Sequence, residues 1–194
     1  QGPMDSWSPA VNFSADSDYK WAHFSTGPPE EYAKVFDLLG GSKVTFDPGQ
    51  EIHYRYSRET AQKFIDRADM FVGNEAEYQK LKELTGKSHE ELTSEIETII
   101  ITGGQSGVSA FRDGDSNHFS ILPAEKVYDT IGAGDSFRSG LYMGLWKGMS
   151  ISDSIIMGII VSSKAIETPM SEFRFGYGDI EKLFREKRKV IAGE

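Results

Sequence analysis

The chain has 194 residues, no cysteine and a formal net charge of −9 at pH 7. The lack of cysteine excludes disulfides, thiolate metal sites and cysteine nucleophiles, and the acidic balance argues against a general nucleic-acid binder. There is neither an apolar run near the ~18 residues that span a membrane nor a signal-peptide pattern. We therefore predict one globular, cytoplasmic domain with no membrane or nucleic-acid partner.

Short apolar segments alternate with amphipathic helical segments along the sequence. Strand patterns are predicted at 19–25, 43–46, 70–72, 98–101, 108–111 and 119–122. Helical patterns are predicted at 29–39, 57–68, 74–84, 88–97, 151–165 and 179–190, and in the segment that begins near 133. The β-branched run at 98–101 is typical of a strand buried on both faces. This alternation predicts a layered α/β fold with a mostly parallel sheet.

A glycine-bearing turn at 129–137 leads directly into a helix and is the strongest chemical signal in the sequence. It reads Asp-Thr-Ile-Gly-Ala-Gly-Asp-Ser-Phe. Unpaired N–H groups at such a helix start form an anion site. Asp135 in the same turn would repel a bound phosphate, yet it is well placed to take a proton from a hydroxyl during phosphoryl transfer. The alternative is that Asp135 caps the helix and the glycines only form a turn.

The complete string at 129–137 resembles the C-terminal signature of the ribokinase-like (PfkB) carbohydrate kinase family and matches it at every fixed position. The resemblance implies a ribokinase-like three-layer α/β sandwich and ATP as the phosphoryl donor. It implies that Asp135 is the catalytic base. It also implies an anion hole formed by Gly132, Ala133 and Gly134.

Two further motifs resemble nucleotide-binding features of the same family. Asn74 and Glu77 follow a predicted strand, and the matching residues of the family position the nucleotide phosphates and Mg²⁺ through water. On spacing alone, this pair is equally a capping box. Thr102, Gly104 and Gly107 match a Thr-x-Gly-x-x-Gly pattern that lies beside the nucleotide in the family, although such glycines also make simple strand-to-strand turns.

Other positions carry weaker predictions. Asp47 and Pro48 follow a predicted strand and resemble a family dipeptide that faces the substrate and phosphate region. Asp129 and the carbonyl of Ile131 match positions that hold a monovalent cation, K⁺, in the family. The histidines show no metal-ligand spacing, so we predict surface or loop positions for His23, His53, His89 and His118.

The resemblance also gives an expected organisation. Residues 1–25 are predicted to be a residual lid or connecting segment, and residues 26–194 the C-terminal nucleotide-binding part of a ribokinase-like domain. The family's N-terminal strands, sugar pocket and lid are not recognised in the sequence, so they are expected to be missing. A sheet that lacks them would have an unpaired edge, which favours self-association as a homodimer. The segment 167–172 departs from the family pattern, and no adenine contact is assigned there.

The resemblance therefore predicts an ATP- and Mg²⁺-dependent phosphotransferase that acts on a hydroxyl of a sugar. Two alternatives remain open from the sequence. One is a nucleoside (adenosine-type) kinase, because it carries the same motifs. The other is a non-catalytic nucleotide-binding fragment, because the acceptor pocket is not recognised in this chain.

Overall fold

Strands and helices alternate in the computed structural model, which describes residues 19–169 and 176–194. The strands are β1 Trp21–Phe24, β2 Lys43–Phe46, β3 Met70–Asn74, β4 Thr98–Thr102, β5 Val108–Arg112 and β6 Asp115–Phe119. The helices are α1 Pro29–Ala33, α2 Arg58–Arg67, α3 Glu75–Thr85, α4 His89–Glu95, α5 Ala133–Trp146, α6 Ile151–Ile166 and α7 Tyr177–Ala192. The described chain divides into two compact units. Within the described residues, the first comprises 19–103 with 109–117, and the second comprises 104–108 with 118–169 and 176–194.

The six strands form a single sheet in the order β1-β2-β3-β4-β5-β6. The pairs β1–β2, β2–β3 and β3–β4 are parallel, which confirms the mostly parallel sheet. Strands β5 and β6 are joined by Asp113 and Gly114, both with positive φ (53° and 83°). Two positive φ values define the tight turn that suits the twist of an antiparallel hairpin. The parallel strands therefore align their carboxyl ends at one edge of the sheet, where α/β proteins place their sites.

The core of the first unit is rich in aromatic side chains. Phe46 from β2, Phe64 from α2 and Phe71 from β3 have no exposed surface. The Phe46 and Phe64 rings lie 4.7 Å apart, and Phe46 meets Phe71 nearly edge-on at 5.7 Å. Such pairs add to the burial energy of the rings. Helix α2 begins where Ser57 accepts the N–H of Thr60, and its Phe64 ring packs against Phe46 of β2.

The second unit is helical, and its central feature is the close contact of α5 with α6. A Cβ at Gly140 would lie 2.6 Å from the carbonyl oxygen of Met157, and one at Gly158 would lie 2.7 Å from that of Phe137. Helix α7 is held by Arg188, which donates to Asp153 at 2.6 Å. This ion pair joins α7 to α6.

Two predicted elements differ from the structure. The strand predicted at 119–122 ends at Phe119, because the N–H of Ser120 donates to the carbonyl of Ile191 in α7 instead of to a strand. The helix predicted at 29–39 is broken after α1 and continues as a 3₁₀ turn at Phe36–Leu38, which still buries Val35 and Leu39. The predictions for residues 1–18 and for 170–172 fall outside the described residues. No helix in the described part of the chain has the length and apolarity to cross a bilayer.

Candidate active site

The turn before α5, in the second unit, was predicted to form an anion hole. Gly132 is the N-cap residue, with φ 77°, a left-handed conformation that favours glycine. The N–H of Ala133 donates to the carbonyl of Thr130 at 3.2 Å, so this predicted donor is already engaged. The N–H groups of Gly134 and Asp135 lie in the first helical turn, where no intrahelical carbonyl is available to them. These two groups are the donors that the turn offers to an anion.

Helix α6 supports this turn through a side chain that the sequence did not mark as functional. The Ser162 hydroxyl donates to the carbonyl of Ala133 at 3.0 Å, although a helical serine often bonds within its own helix. Phe137 is buried on the same side of α5, against Gly158. Helix α6 therefore supports the turn by packing and by one specific hydrogen bond.

A comparison of the starts of α5 and α7 distinguishes Asp135 from an ordinary capping acid. Helix α7 begins with the same pattern, because Gly176 and Gly178 precede Asp179 in the way that two glycines precede Asp135. Asp179 caps its helix, accepting the N–H of Gly176 at 3.1 Å. Within the described residues, the Asp135 carboxylate accepts a hydrogen bond from Arg138 at 3.4 Å and none from the backbone of its own turn. Asp135 is also 87% exposed, so its carboxylate is open to a reacting hydroxyl.

The predicted cation residues form a local turn in the second unit. The Asp129 carboxylate accepts the N–H of Ile131 at 2.9 Å, which is an Asx-type turn. This bond sets the chain direction just before Gly132. Among the described residues there is no group of three or more His, Asp or Glu side chains able to hold a metal ion.

Asn74 and Glu77 lie at the carboxyl end of β3 in the first unit. The Asn74 Oδ1 accepts the N–H of Glu77 at 2.9 Å, and Glu77 Oε2 accepts the N–H of Asn74 at 2.8 Å, so the capping-box interpretation is confirmed. Glu77 is only 7% exposed. The box engages Oε2, and Oε1 takes no part in it. The hydroxyl of the next residue, Tyr78, lies 2.8 Å from His89 Nδ1, and this hydrogen bond links α3 to α4. Burial of Tyr78 raises the pKa of its hydroxyl to about 12.

Thr102 is brought directly beside Asn74. The two residues are register partners at the ends of β4 and β3, and the Thr102 hydroxyl donates to the carbonyl of Gly73 at 3.4 Å. Gly104 and Gly107 bound the turn that follows, with φ 57° and 90°. A Cβ at Gly107 would lie 2.3 Å from the carbonyl oxygen of Phe119, whereas one at Gly104 would meet nothing within 4 Å. Gly107 is thus required by packing, and Gly104 leaves an open surface.

An ion pair between a buried aspartate and a histidine lies at the same edge of the first unit. Asp47 follows β2, has no exposed surface and lies 2.9 Å from Nε2 of His23 on β1. The sequence predicted a surface or loop position for His23, and His23 is exposed on β1. Its pairing with Asp47 was not predicted. His89 lies in α4, where it is half-buried with its ring 4.4 Å from that of Phe111.

Comparison with known proteins places these motifs in a family. Residues 19–173 match the model of the pfkB family carbohydrate kinases. Over 192 residues the chain is 37% identical to a nucleoside kinase of Thermoplasma acidophilum, which covers 99% of this chain and 62% of that protein. The chain therefore belongs to the pfkB family of carbohydrate kinases.

Solved structures agree on the fold. A Thermoplasma acidophilum crystal structure described as a ribokinase superposes with a TM-score of 0.81 at 36% identity, covering 98% of this chain and 62% of that one. The Burkholderia thailandensis nucleoside kinase in complex with ADP-inosine gives a TM-score of 0.82 at 23% identity, covering 93% of this chain and 56% of that one. The ribokinase-like α/β fold is confirmed. This chain spans about three fifths of the length of these proteins.

Proposed function

We propose that this protein transfers the γ-phosphoryl group of ATP to a hydroxyl of a sugar or of the sugar ring of a nucleoside. The observation that carries the proposal is the exposed carboxylate of Asp135, which lies in the same turn as two backbone N–H donors and does not cap its helix. Membership of the pfkB family supports a hydroxyl acceptor. We also propose that residues 26–194 form the nucleotide-binding part and that residues 1–25 are a residual lid or connecting segment.

Asp135 would act as the base of the reaction. Its carboxylate takes the proton of the acceptor hydroxyl while that oxygen forms a bond to the γ-phosphorus. The bond from the γ-phosphorus to the β–γ bridging oxygen breaks, and ADP leaves with the electron pair. The N–H groups of Gly134 and Asp135 stabilise the charge on the transferring phosphoryl oxygens, with Gly132 and Ala133 setting the turn.

Asn74 and Glu77 are proposed to help position the nucleotide phosphates and Mg²⁺. Glu77 keeps one carboxylate oxygen outside its capping box, which suits a water-mediated contact to Mg²⁺, an ion that retains much of its water. When bound, Mg²⁺ neutralises phosphate charge. Asn74, Thr102, Gly104 and Gly107 are proposed to line the nucleotide. Asp129 and the carbonyl of Ile131 are proposed to hold a monovalent cation. The formation of a homodimer and a cytoplasmic location remain predictions.

Replacing Glu77 by glutamine is expected to lower phosphotransfer about 10–100-fold and to raise the Mg²⁺ concentration needed for half-maximal rate. Glutamine still completes a capping box, so the free energy of unfolding should change by less than ~0.5 kcal/mol. The measurement is the initial rate as a function of Mg²⁺, with urea unfolding of the same samples.

The chain offers a matched control for this change. Ser88 and Glu91 form the same capping box at the start of α4, with bonds of 3.2 and 2.7 Å. Glu91→Gln should leave both the rate and the Mg²⁺ dependence unchanged. Equal losses of rate in the two variants would show that Glu77 acts only as a capping residue.

Two classes of acceptor, sugars and nucleosides, are candidates, and a specific observation favours each of them. The 37% identical relative is a nucleoside kinase, and a ribokinase of Lactococcus lactis is 33% identical to this chain over 152 residues. The purified protein should be incubated with Mg²⁺-ATP and, in turn, ribose, fructose, inosine and cytidine. Phosphorus NMR of the products identifies the phosphoester.

Each outcome of this experiment has a distinct meaning. A sugar phosphate supports the sugar kinase, and a nucleoside monophosphate supports the nucleoside kinase. Nucleotide binding by calorimetry without transfer to any acceptor identifies a non-catalytic nucleotide-binding module. Absence of both binding and transfer overturns the proposal.

A further inference from the structure

Arg138 lies three residues after Asp135, on the same face of α5. Its Nη1 donates to Asp135 Oδ1 at 3.4 Å. The Arg138 side chain is only 20% exposed, whereas Asp135 is 87% exposed. The guanidinium is therefore packed close to the protein, while the carboxylate that it contacts faces solvent.

Gly134 shows where the guanidinium lies. A Cβ at Gly134 would be 2.9 Å from Arg138 Nη1 and 3.9 Å from its Cζ. The guanidinium thus lies against the backbone of the second helical residue. Gly134 also carries one of the two N–H groups assigned to the anion, so the positive charge of Arg138 is adjacent to the anion site.

The i,i+3 pair with Asp135 stabilises α5 only slightly. The positive end of the helix dipole is at the N-terminus, where cationic side chains are disfavoured. Arg188, by contrast, pairs with Asp153 near the C-terminal end of α7, where a cation is favoured. Arg138 therefore places a positive charge beside backbone N–H groups that favour an anion.

The Asp135 carboxylate supplies the negative charge that this cation can offset. It is a negative charge in the turn that is to receive a phosphoryl group, and like charges at short range repel. The Arg138 guanidinium remains charged at all working pH values and offers a rigid planar set of donors. Contact with Asp135 lets it offset this charge and hold the carboxylate to one side of the anion donors.

We propose that Arg138 is a positioning residue that offsets the charge of Asp135 and so admits the γ-phosphate of ATP to the anion site. The inference rests on the proposed phosphotransfer function. ATP carries the phosphate that must approach Asp135, and ADP does not. Loss of Arg138 therefore weakens ATP binding and leaves ADP binding unchanged. Removal of the Asp135 charge removes the need for Arg138.

The test is a double-mutant cycle measured by calorimetry with ATP and with ADP, each with Mg²⁺. Arg138→Met is expected to raise the Kd for ATP by about tenfold and that for ADP by less than about twofold. In the Asp135→Asn background, the same Arg138→Met change should leave both Kd values within about twofold. Arg138→Lys should recover part of the ATP affinity.

The control is Arg185→Met, which removes an exposed arginine paired with Glu181 on α7 at 3.0 Å and should leave both Kd values unchanged. Circular dichroism of each variant checks the fold. Equal weakening of ATP and ADP by Arg138→Met, or the same tenfold loss in the Asp135→Asn background, would overturn the inference and leave the proposed function standing. If the unmodified protein binds neither nucleotide, the proposed function and the role of Arg138 both fail.

Discussion

Asp135→Asn is expected to lower the rate of phosphotransfer by about 10²–10⁴-fold, the range for loss of a positioned base. Asparagine keeps the size of the side chain but cannot accept the proton of the acceptor hydroxyl. ATP should still bind, because the N–H donors of Gly134 and Asp135 belong to the backbone. The measurement combines single-turnover rates with the Kd for ATP from calorimetry.

Asp179→Asn is the matched control for this experiment. Asp179 occupies the same third position of a helix after a Gly-x-Gly pattern, but its carboxylate accepts the N–H of Gly176. The Asp179→Asn variant should lose at most about 1 kcal/mol of unfolding free energy and keep the full rate. A near-normal rate for Asp135→Asn would exclude Asp135 as the base. A similar rate loss in both variants would indicate a general effect on folding.

Gly140→Ala is expected to destabilise the second unit by about 1–3 kcal/mol, because it forces a methyl group into a filled space. The new Cβ would lie 2.6 Å from the carbonyl oxygen of Met157 and 2.7 Å from the Cα of Gly158. Both are backbone atoms, so α5 and α6 must separate to make room. The higher helix propensity of alanine, worth up to about 1 kcal/mol, offsets only part of this cost.

Urea unfolding of Gly140→Ala measures the loss directly. The control is Gly178→Ala in α7, where a Cβ meets nothing within 4 Å, so this variant should be as stable as the unmodified protein or more stable. The separation of α5 from α6 should also reduce phosphotransfer, because α5 carries Asp135 and α6 supports Ala133 through Ser162. An unchanged unfolding midpoint for Gly140→Ala would show that the helices tolerate a wider spacing.

Regular apolar periodicity predicted the framework well. The strand at Lys43–Phe46 has the predicted ends, and the β-branched run gives β4 with one added residue, Thr102. The error at 119–122 arose because an apolar segment can pack against a helix as easily as it can join a sheet. Ser120 bonds to Ile191, 71 positions further along the chain (191 − 120 = 71), and no local pattern contains that contact.

The candidate site shows the same division between local and distant information. The capping box at Asn74 and the glycine turn at Gly132 are short-range patterns, so the sequence reveals them. Sequence reasoning missed Arg138 because a charge on a helix face is usually solvated, and only the 2.9 Å distance to a Cβ at Gly134 shows its packing. It also missed the partner of Asp47, His23, because pairing of β1 with β2 brings them together.

The two Gly-x-Gly-Asp turns have similar sequences but differ in how they tolerate substitution of the first glycine. Gly132 has φ 77° and Gly176 has φ −78°, so the leading glycines are nearly mirror images in this one dihedral angle. An L-amino acid fits the conformation of Gly176, where a Cβ would be 3.4 Å from Asp179 Oδ2. At Gly132 the handedness of the residue matters, and D-alanine introduced by chemical synthesis should be accepted where L-alanine is strained. The sign of one backbone angle thus distinguishes a replaceable glycine from an indispensable one.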